Sequence, residues 1–147
     1  MDKVEIKGYK SFKELKLDLL PINILIGSNG SGKSNFLSFF EFLNRLYEQK
    51  LTEYVALNGG VDKYFFQGSK MTDAIAATIY FKNNSYSFEL KEGDNKLVFS
   101  KEKLGYYGSY SDIAGFGNEA CIKTYDCLLY TSPSPRDSTS SRMPSSA

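Results

Sequence analysis

An α/β fold organised around a strand, a glycine-rich loop and a helix is predicted for this chain by three adjacent features. Ile22-Asn23-Ile24-Leu25-Ile26 is a short β-rich apolar run that reads as a buried strand. Gly27-Ser28-Asn29-Gly30-Ser31-Gly32-Lys33-Ser34 satisfies G-x-x-x-x-G-K-[ST], and Asn35 extends it. From Asn35 to Lys50, apolar residues recur at helical spacing: Phe36, Phe40, Leu43 and Tyr47, with Leu37 and Leu46 beside them. This order aims successive backbone N–H groups and the positive end of a helix at one anion.

Each residue of the loop has a chemical role in that reading. Gly27, Gly30 and Gly32 allow positive φ and close approach of backbone to phosphate oxygens. Lys33 is expected to bridge the β- and γ-phosphates, and the Ser34 hydroxyl to ligate Mg²⁺. Ser28, Asn29, Ser31 and Asn35 complete the cradle. The expected ligands are therefore a nucleoside triphosphate, read as ATP, and Mg²⁺.

The other elements follow from periodicity. Val4 and Ile6 alternate with Glu5 and Lys7 in a half-exposed first strand, and Leu15, Leu17 and Leu19 alternate with Lys16 and Asp18 in a second. Ile22 to Ile26, more continuously apolar, is expected to be the central strand of a parallel sheet. A break or second helix is expected near Leu51 to Leu57, and a turn at Asn58-Gly59-Gly60. Beyond that, Ile75, Ala77, Ile79 and Phe81, then Tyr86, Phe88 and Leu90, then Leu97-Val98-Phe99 predict an antiparallel meander over about residues 72–101. Asn83-Asn84 and Gly93-Asp94-Asn95 supply its turns. Gly105 to Gly117 has no clear period and is read as mobile or incomplete; the aromatic residues before it fall at strand spacing, which favours sheet packing over base stacking.

Composition narrows the chemistry. Residues 1–126 hold sixteen basic and sixteen acidic side chains, so bulk charge does not mark a nucleic-acid binder. The chain has no histidine, which removes histidine-based catalysis and most zinc sites. Cys121 is the sole cysteine of residues 1–126 and is expected to be a small buried apolar residue. The N-terminus lacks a signal-peptide pattern, and the apolar run Leu19 to Ile26 is too short to span a bilayer, so a soluble cytoplasmic protein is expected. Cys127 to Asp137 resembles a translated sequencing adapter. Ser138, Thr139 and Ser140 then stand where an index would, and Ser141 to Ala147 resembles the adapter end in the same frame. Residues 127–147 are therefore expected to be a disordered tail that packs against nothing, and 1–126 an incomplete N-terminal lobe.

Ile6-Lys7-Gly8-Tyr9-Lys10-Ser11-Phe12-Lys13-Glu14-Leu15, followed by Ile22 to Leu37, resembles the N-terminal lobe of SMC/RecF-like ABC-type ATPases, notably stand-alone bacterial "AAA family ATPase" proteins. The resemblance covers about Met1 to Phe99. It implies a P-loop NTPase of the ABC/SMC head type, with the meander inserted after the P-loop helix as the head's β-subdomain. It implies phosphate contacts from Lys10 and Ser11, and packing of Tyr9 or Phe12 near the adenine, with exposed Lys and core aromatics as the plain alternatives. It further implies a parent that dimerises head to head around two nucleotides, with DNA or a nuclease as partner, in repair or defence work.

The same resemblance requires a Walker B aspartate with an adjacent glutamate, a signature loop, a D-loop and a switch histidine. Asp73, Asp94 and Asp112 each lack the preceding apolar run of a Walker B strand, and Gln67 stands before the meander, an unexpected place for a Mg²⁺-coordinating glutamine. No catalytic residue is assigned. Phosphoryl transfer rests on positioning and electrostatics, so a cradle without a water-activating acid is expected to bind but not turn over. A transport-type ABC nucleotide-binding subunit and a fragment without autonomous function stand as alternatives.

Overall fold

Alternating apolar and polar residues at the N-terminus fold into a hairpin of β1 (Lys3–Tyr9) and β2 (Phe12–Asp18), in register Val4 opposite Leu17 and Ile6 opposite Leu15. The computed structural model describes residues 1–113 and 117–122. After β2 the chain runs through the glycine-rich loop into α1 (Lys33–Tyr47), α2 (Leu51–Leu57) and a 3₁₀ turn (Val61–Tyr64). It returns as β3 (Ile75–Phe81), β4 (Asn84–Gly93), β5 (Lys96–Tyr106) and β6 (Ser109–Asp112). The sheet order is β2-β1-β3-β4-β5-β6, and every pairing is antiparallel.

The core lies between one sheet face and the helices. Val4, Ile6, Ile75 and Ile79 face it from the sheet, Phe39, Phe42 and Leu46 from α1, and Leu51 and Val55 from α2. Tyr9 is its hub. Its ring meets Phe39 edge-on at 5.2 Å and Phe42 at 5.4 Å, and its hydroxyl lies 3.0 Å from Ser38 Oγ. Each fully buried side chain of this size contributes about 1.5–3 kcal/mol relative to exposure. The aromatic side chain at Tyr9 therefore belongs to packing, not to a base-binding surface.

Several expectations are corrected here. Ile22 to Ile26 is not a strand: Ile22, Ile24 and Ile26 are 80%, 79% and 90% exposed, and the segment has no ladder partner among the described residues. Both sides of β1 are taken by β2 and β3, so no central slot is left for it. Among the described residues no parallel sheet forms; they make an antiparallel sheet with helices on one face. The meander strands β3 to β5 run over 75–106, and they extend the N-terminal hairpin, β3 pairing with β1 through Val4–Ile79 and Ile6–Ala77. The aperiodic stretch Gly105 to Gly117 instead begins with the end of β5 and contains β6, joined by a turn at Tyr107 and Gly108. The β3–β4 turn sits one residue earlier than expected, at Lys82 and Asn83, with Lys82 at φ 52°. The buried stripe of α1 runs through Phe36, Phe39, Phe42 and Leu46, leaving Leu37 60% exposed.

A β-bulge explains the least expected core residue. The register shifts between Glu89 and Leu90, with Lys101 and Phe99 as their partners, so Ser100 is the extra residue of β5. Its hydroxyl donates to the Glu89 carboxylate at 2.6 Å. The bulge flips the alternation. Leu97 and Phe99 face the core before it, and Glu102 faces the core after it, 1% exposed. Glu102 accepts from the Tyr86 hydroxyl at 2.7 Å and from the backbone N–H groups of Cys121 and Ile122 at 3.0 Å. Burial, with the Glu102 charge beside it, pushes the Tyr86 hydroxyl well above its ordinary range. Nearby, Glu119 accepts from the N–H groups of Leu51 and Thr52, capping α2 from another segment. Cys121 is partly exposed rather than buried, while its neighbours Ala120 and Ile122 enter the core. The residues of the expected tail lie outside the described residues.

Candidate nucleotide-binding site

The glycine-rich loop is positioned by α1, which begins at Lys33 after Gly32 at φ 96°. Ser28 to Ser31 form a turn, the Ser31 N–H donating to the Ser28 carbonyl at 3.2 Å, with Gly30 at φ 86°. Left-handed φ at Gly30 and Gly32 disfavours any residue with a Cβ, and Gly32 is also crowded: an added Cβ would lie 3.1 Å from the Phe12 ring and 3.3 Å from Ser11 Oγ. At Gly27 an added Cβ would meet Ser31 Oγ at 2.7 Å.

The start of α1 is open to an anion. It has no side-chain N-cap and no acidic residue in its first turn. Its first N–H groups therefore lack the usual intrahelical or side-chain acceptors. The Lys33 ammonium folds back over the loop, donating to the Gly27 carbonyl and, at 3.1 Å, to the Ser28 carbonyl. A phosphate placed against the helix end would find that ammonium within the same loop. Ser34 lies in the first helical turn, exposed, where its hydroxyl can serve a hard cation. Among the described residues there is no cluster of three carboxylate, histidine or cysteine groups able to hold a metal alone.

The two second-rank residues separate. Ser11 reaches the loop, accepting from the Asn35 side chain at 3.0 Å. Lys10 turns away from it, donating to Ser38 Oγ at 3.1 Å and lying 5.0 Å from the Tyr64 ring centre. Its partial burial lowers its pKa from the ordinary lysine value. Two openings adjoin these residues. A polar cleft of about 540 Å³ is lined by Lys10, Ser11, Asn35, Asn58, Asp62 and Gln67. A smaller one of about 270 Å³, lined by Phe12, Leu17, Leu25, Ile26, Lys33 and Phe36, is mostly apolar. The chain after α2 thus lines this cleft through Asn58, Asp62 and Gln67, the last being the glutamine that the sequence offered as an out-of-place Mg²⁺ candidate. Asp94 sits in the β4–β5 turn, and Asp112, in β6, pairs with Lys103 at 3.6 Å.

The sequence profile of the AAA ATPase domain matches residues 1–114. The chain is 29% identical over 111 residues to the chromosome partition protein Smc of Methanocaldococcus jannaschii, covering 73% of this chain and 9% of that protein. It is 44% identical over 41 residues to the DNA replication and repair protein RecF of Lactococcus lactis subsp. lactis, covering 27% of this chain and 12% of that protein. The chain spans about a tenth of the length of these relatives. No helix among the described residues is long and apolar enough to cross a membrane. With the profile covering most of the chain and the glycine loop at the head of α1, the protein belongs to the AAA ATPase domain family, within its SMC/RecF-like group.

Proposed function

We propose that Gly27 to Asn35 binds the phosphates of ATP, with Lys33 as the charged contact, and that the protein works in a DNA-associated ATPase. The carrying observation is the uncapped start of α1 facing a loop with two left-handed glycines and the Lys33 ammonium. Backbone N–H donors and a fixed cation at one point favour a multiply charged anion. Ser11 supports the loop through Asn35, and Lys10, held by Ser38 one turn further along α1, is the lesser phosphate contact. Mg²⁺ bound at Ser34 would neutralise the phosphates, the remaining ligands coming from nucleotide and water.

The loop and the first helical turn carry no aspartate or glutamate, so these residues hold phosphate without supplying a group that orients water. The proposal is therefore binding without turnover by this chain. In the whole protein, residues 1–126 form the incomplete N-terminal lobe of a P-loop head that pairs with a second head and acts in the cytoplasm. The relatives' roles in chromosome partition and in DNA replication and repair favour DNA work over transport.

The test is a titration of the chain with a fluorescent ATP analogue in Mg²⁺, beside a phosphate-release assay. Lys33→Ala is expected to weaken binding by more than about ten-fold, since a charge-assisted hydrogen bond contributes about 1.5–3 kcal/mol. Lys10→Ala should weaken it less. Equal affinities for wild type and Lys33→Ala would remove the loop's assignment, and Mg²⁺-dependent phosphate release above background would overturn the claim of silence.

A further inference from the structure

The glycine loop stands between two openings of unequal size and chemistry, and they give a bound polyphosphate a direction. Ser31, Gly32 and Lys33 line the apolar opening of about 270 Å³, while Ser11 and Asn35 line the polar cleft of about 540 Å³. In the proposed hold on ATP, on which this inference rests, the lysine marks the β- and γ-phosphate end. The α-phosphate and the nucleoside joined to it then point to the Asn35 side. The smaller opening has no polar side chain besides Ser31 and Lys33, so sugar hydroxyls and a base edge would go unmatched there.

The far wall of the polar cleft is tied down. The Lys10 N–H donates to the Tyr64 carbonyl and the Phe66 N–H to the Gly8 carbonyl, each at 2.9 Å, which joins the 3₁₀ turn and its sequel to the end of β1. The Gly68 N–H donates to the Phe65 carbonyl at 3.1 Å, closing a turn with Gln67 at φ 59°. A glutamine in left-handed backbone is strained, and strain of this kind gathers at ligand clamps. Asp62 is fixed by its neighbours: its Oδ1 accepts from the Ser69 N–H and from the Ser69 hydroxyl, both at 2.8 Å. Those bonds hold its carboxyl below the ordinary carboxylate range. Gly68 leaves the carboxylate clear, since an added Cβ would lie 3.2 Å from each of its oxygens.

We propose that this cleft holds the nucleoside of the bound triphosphate, with the Asp62 carboxylate accepting from the ribose hydroxyls and the Gln67 amide meeting the base edge. A carboxylate suits a sugar hydroxyl, and a glutamine amide matches the donor and acceptor that adenine presents side by side. Tyr9 is fully buried and does not reach the base. Asp62 and Gln67 therefore set which nucleotide is preferred, while the glycine loop holds the phosphates common to all of them.

Heat titrations of the full chain in Mg²⁺ compare ATP, 2′,3′-dideoxy-ATP and inorganic tripolyphosphate, which all carry the same phosphate chain. Wild type is expected to bind ATP about ten-fold more tightly than either of the others, the gain from hydrogen bonds to a charged group. Asp62→Asn keeps the acceptor for Ser69 and should remove most of the preference for ATP over dideoxy-ATP, leaving tripolyphosphate unchanged. Gln67→Gly suits the local φ and should weaken ATP several-fold, again without effect on tripolyphosphate. Equal affinity of wild type for ATP and tripolyphosphate would overturn the cleft assignment while the loop stands. An Asp62→Asn variant that loses tripolyphosphate as much as ATP would overturn it too, because the carboxylate would then serve the phosphates or the fold. Binding of none of the ligands would remove the loop and the cleft together.

Discussion

Two apolar runs of this chain look alike in sequence and end in opposite environments. Ile75 to Phe81 becomes β3, with Ile75 and Ile79 no more than 2% exposed. Ile22 to Ile26, denser in isoleucine, stays outside the sheet with its side chains in water. The difference is the presence of partners. β3 lies between β1 and β4, which saturate its backbone on both sides and present Val4, Ile6, Tyr86 and Phe88 across from it. From the segment before the loop, Leu25 and Ile26 line the small apolar opening with Phe12, Leu15, Leu17 and Phe36. Apolar content makes a strand possible; a neighbouring ladder makes it real.

The largest expected effect tests the buried side of this contrast. Ile79→Ala should destabilise the fold by about 2–5 kcal/mol, read as a shift in urea midpoint, whereas Ile24→Ala should stay within about 0.5 kcal/mol. Similar losses at both positions would show that Ile22 to Ile26 is packed in solution. A smaller effect concerns support from outside the sheet. Glu119→Ala removes the carboxylate that caps α2, and about 1 kcal/mol of stability should go with it. No loss would mean that residues 117–122 do not hold the helix.

Replacing Ile22, Ile24 and Ile26 together by Ser should leave the melting temperature nearly unchanged and raise solubility. An exposed apolar run beside the open β2 edge is an association hazard. Light scattering at rising concentration reads it; greater aggregation of the triple variant would reverse the argument.

The smallest effect lies on the solvent face of β1. Lys3 donates to Glu5 at 3.0 Å and holds its carboxyl below the ordinary carboxylate value. A depressed carboxyl pKa gives stability that is present above the unfolded value and lost as pH falls through the folded one. Melting curves taken from about pH 6 to about pH 3 should therefore show a small gap between wild type and Lys3→Met that closes at the acid end. A gap that widens there would contradict the assignment.

Much of the geometry of the candidate site is legible in the sequence. The glycine loop, Lys33 at the head of a helix, and the turns at Gly59-Gly60 and Asp94-Asn95 follow from local chemistry, since positive φ and N-terminal N–H groups act within a few residues. Alternation likewise fixed which side chains of β1, β3 and β4 share a face. Contacts far apart in sequence decided the rest. Phe39 and Phe42 were buried in place of Leu37 because Tyr9 stands opposite them, and Lys10 was drawn to Ser38 and Tyr64 by elements that meet only in the fold. A single bulge at Ser100 turned Glu102 inward, and no local pattern announces a register shift set by two strands together. Local sequence determines what a segment is able to bury or bond; only the other segments determine what it meets.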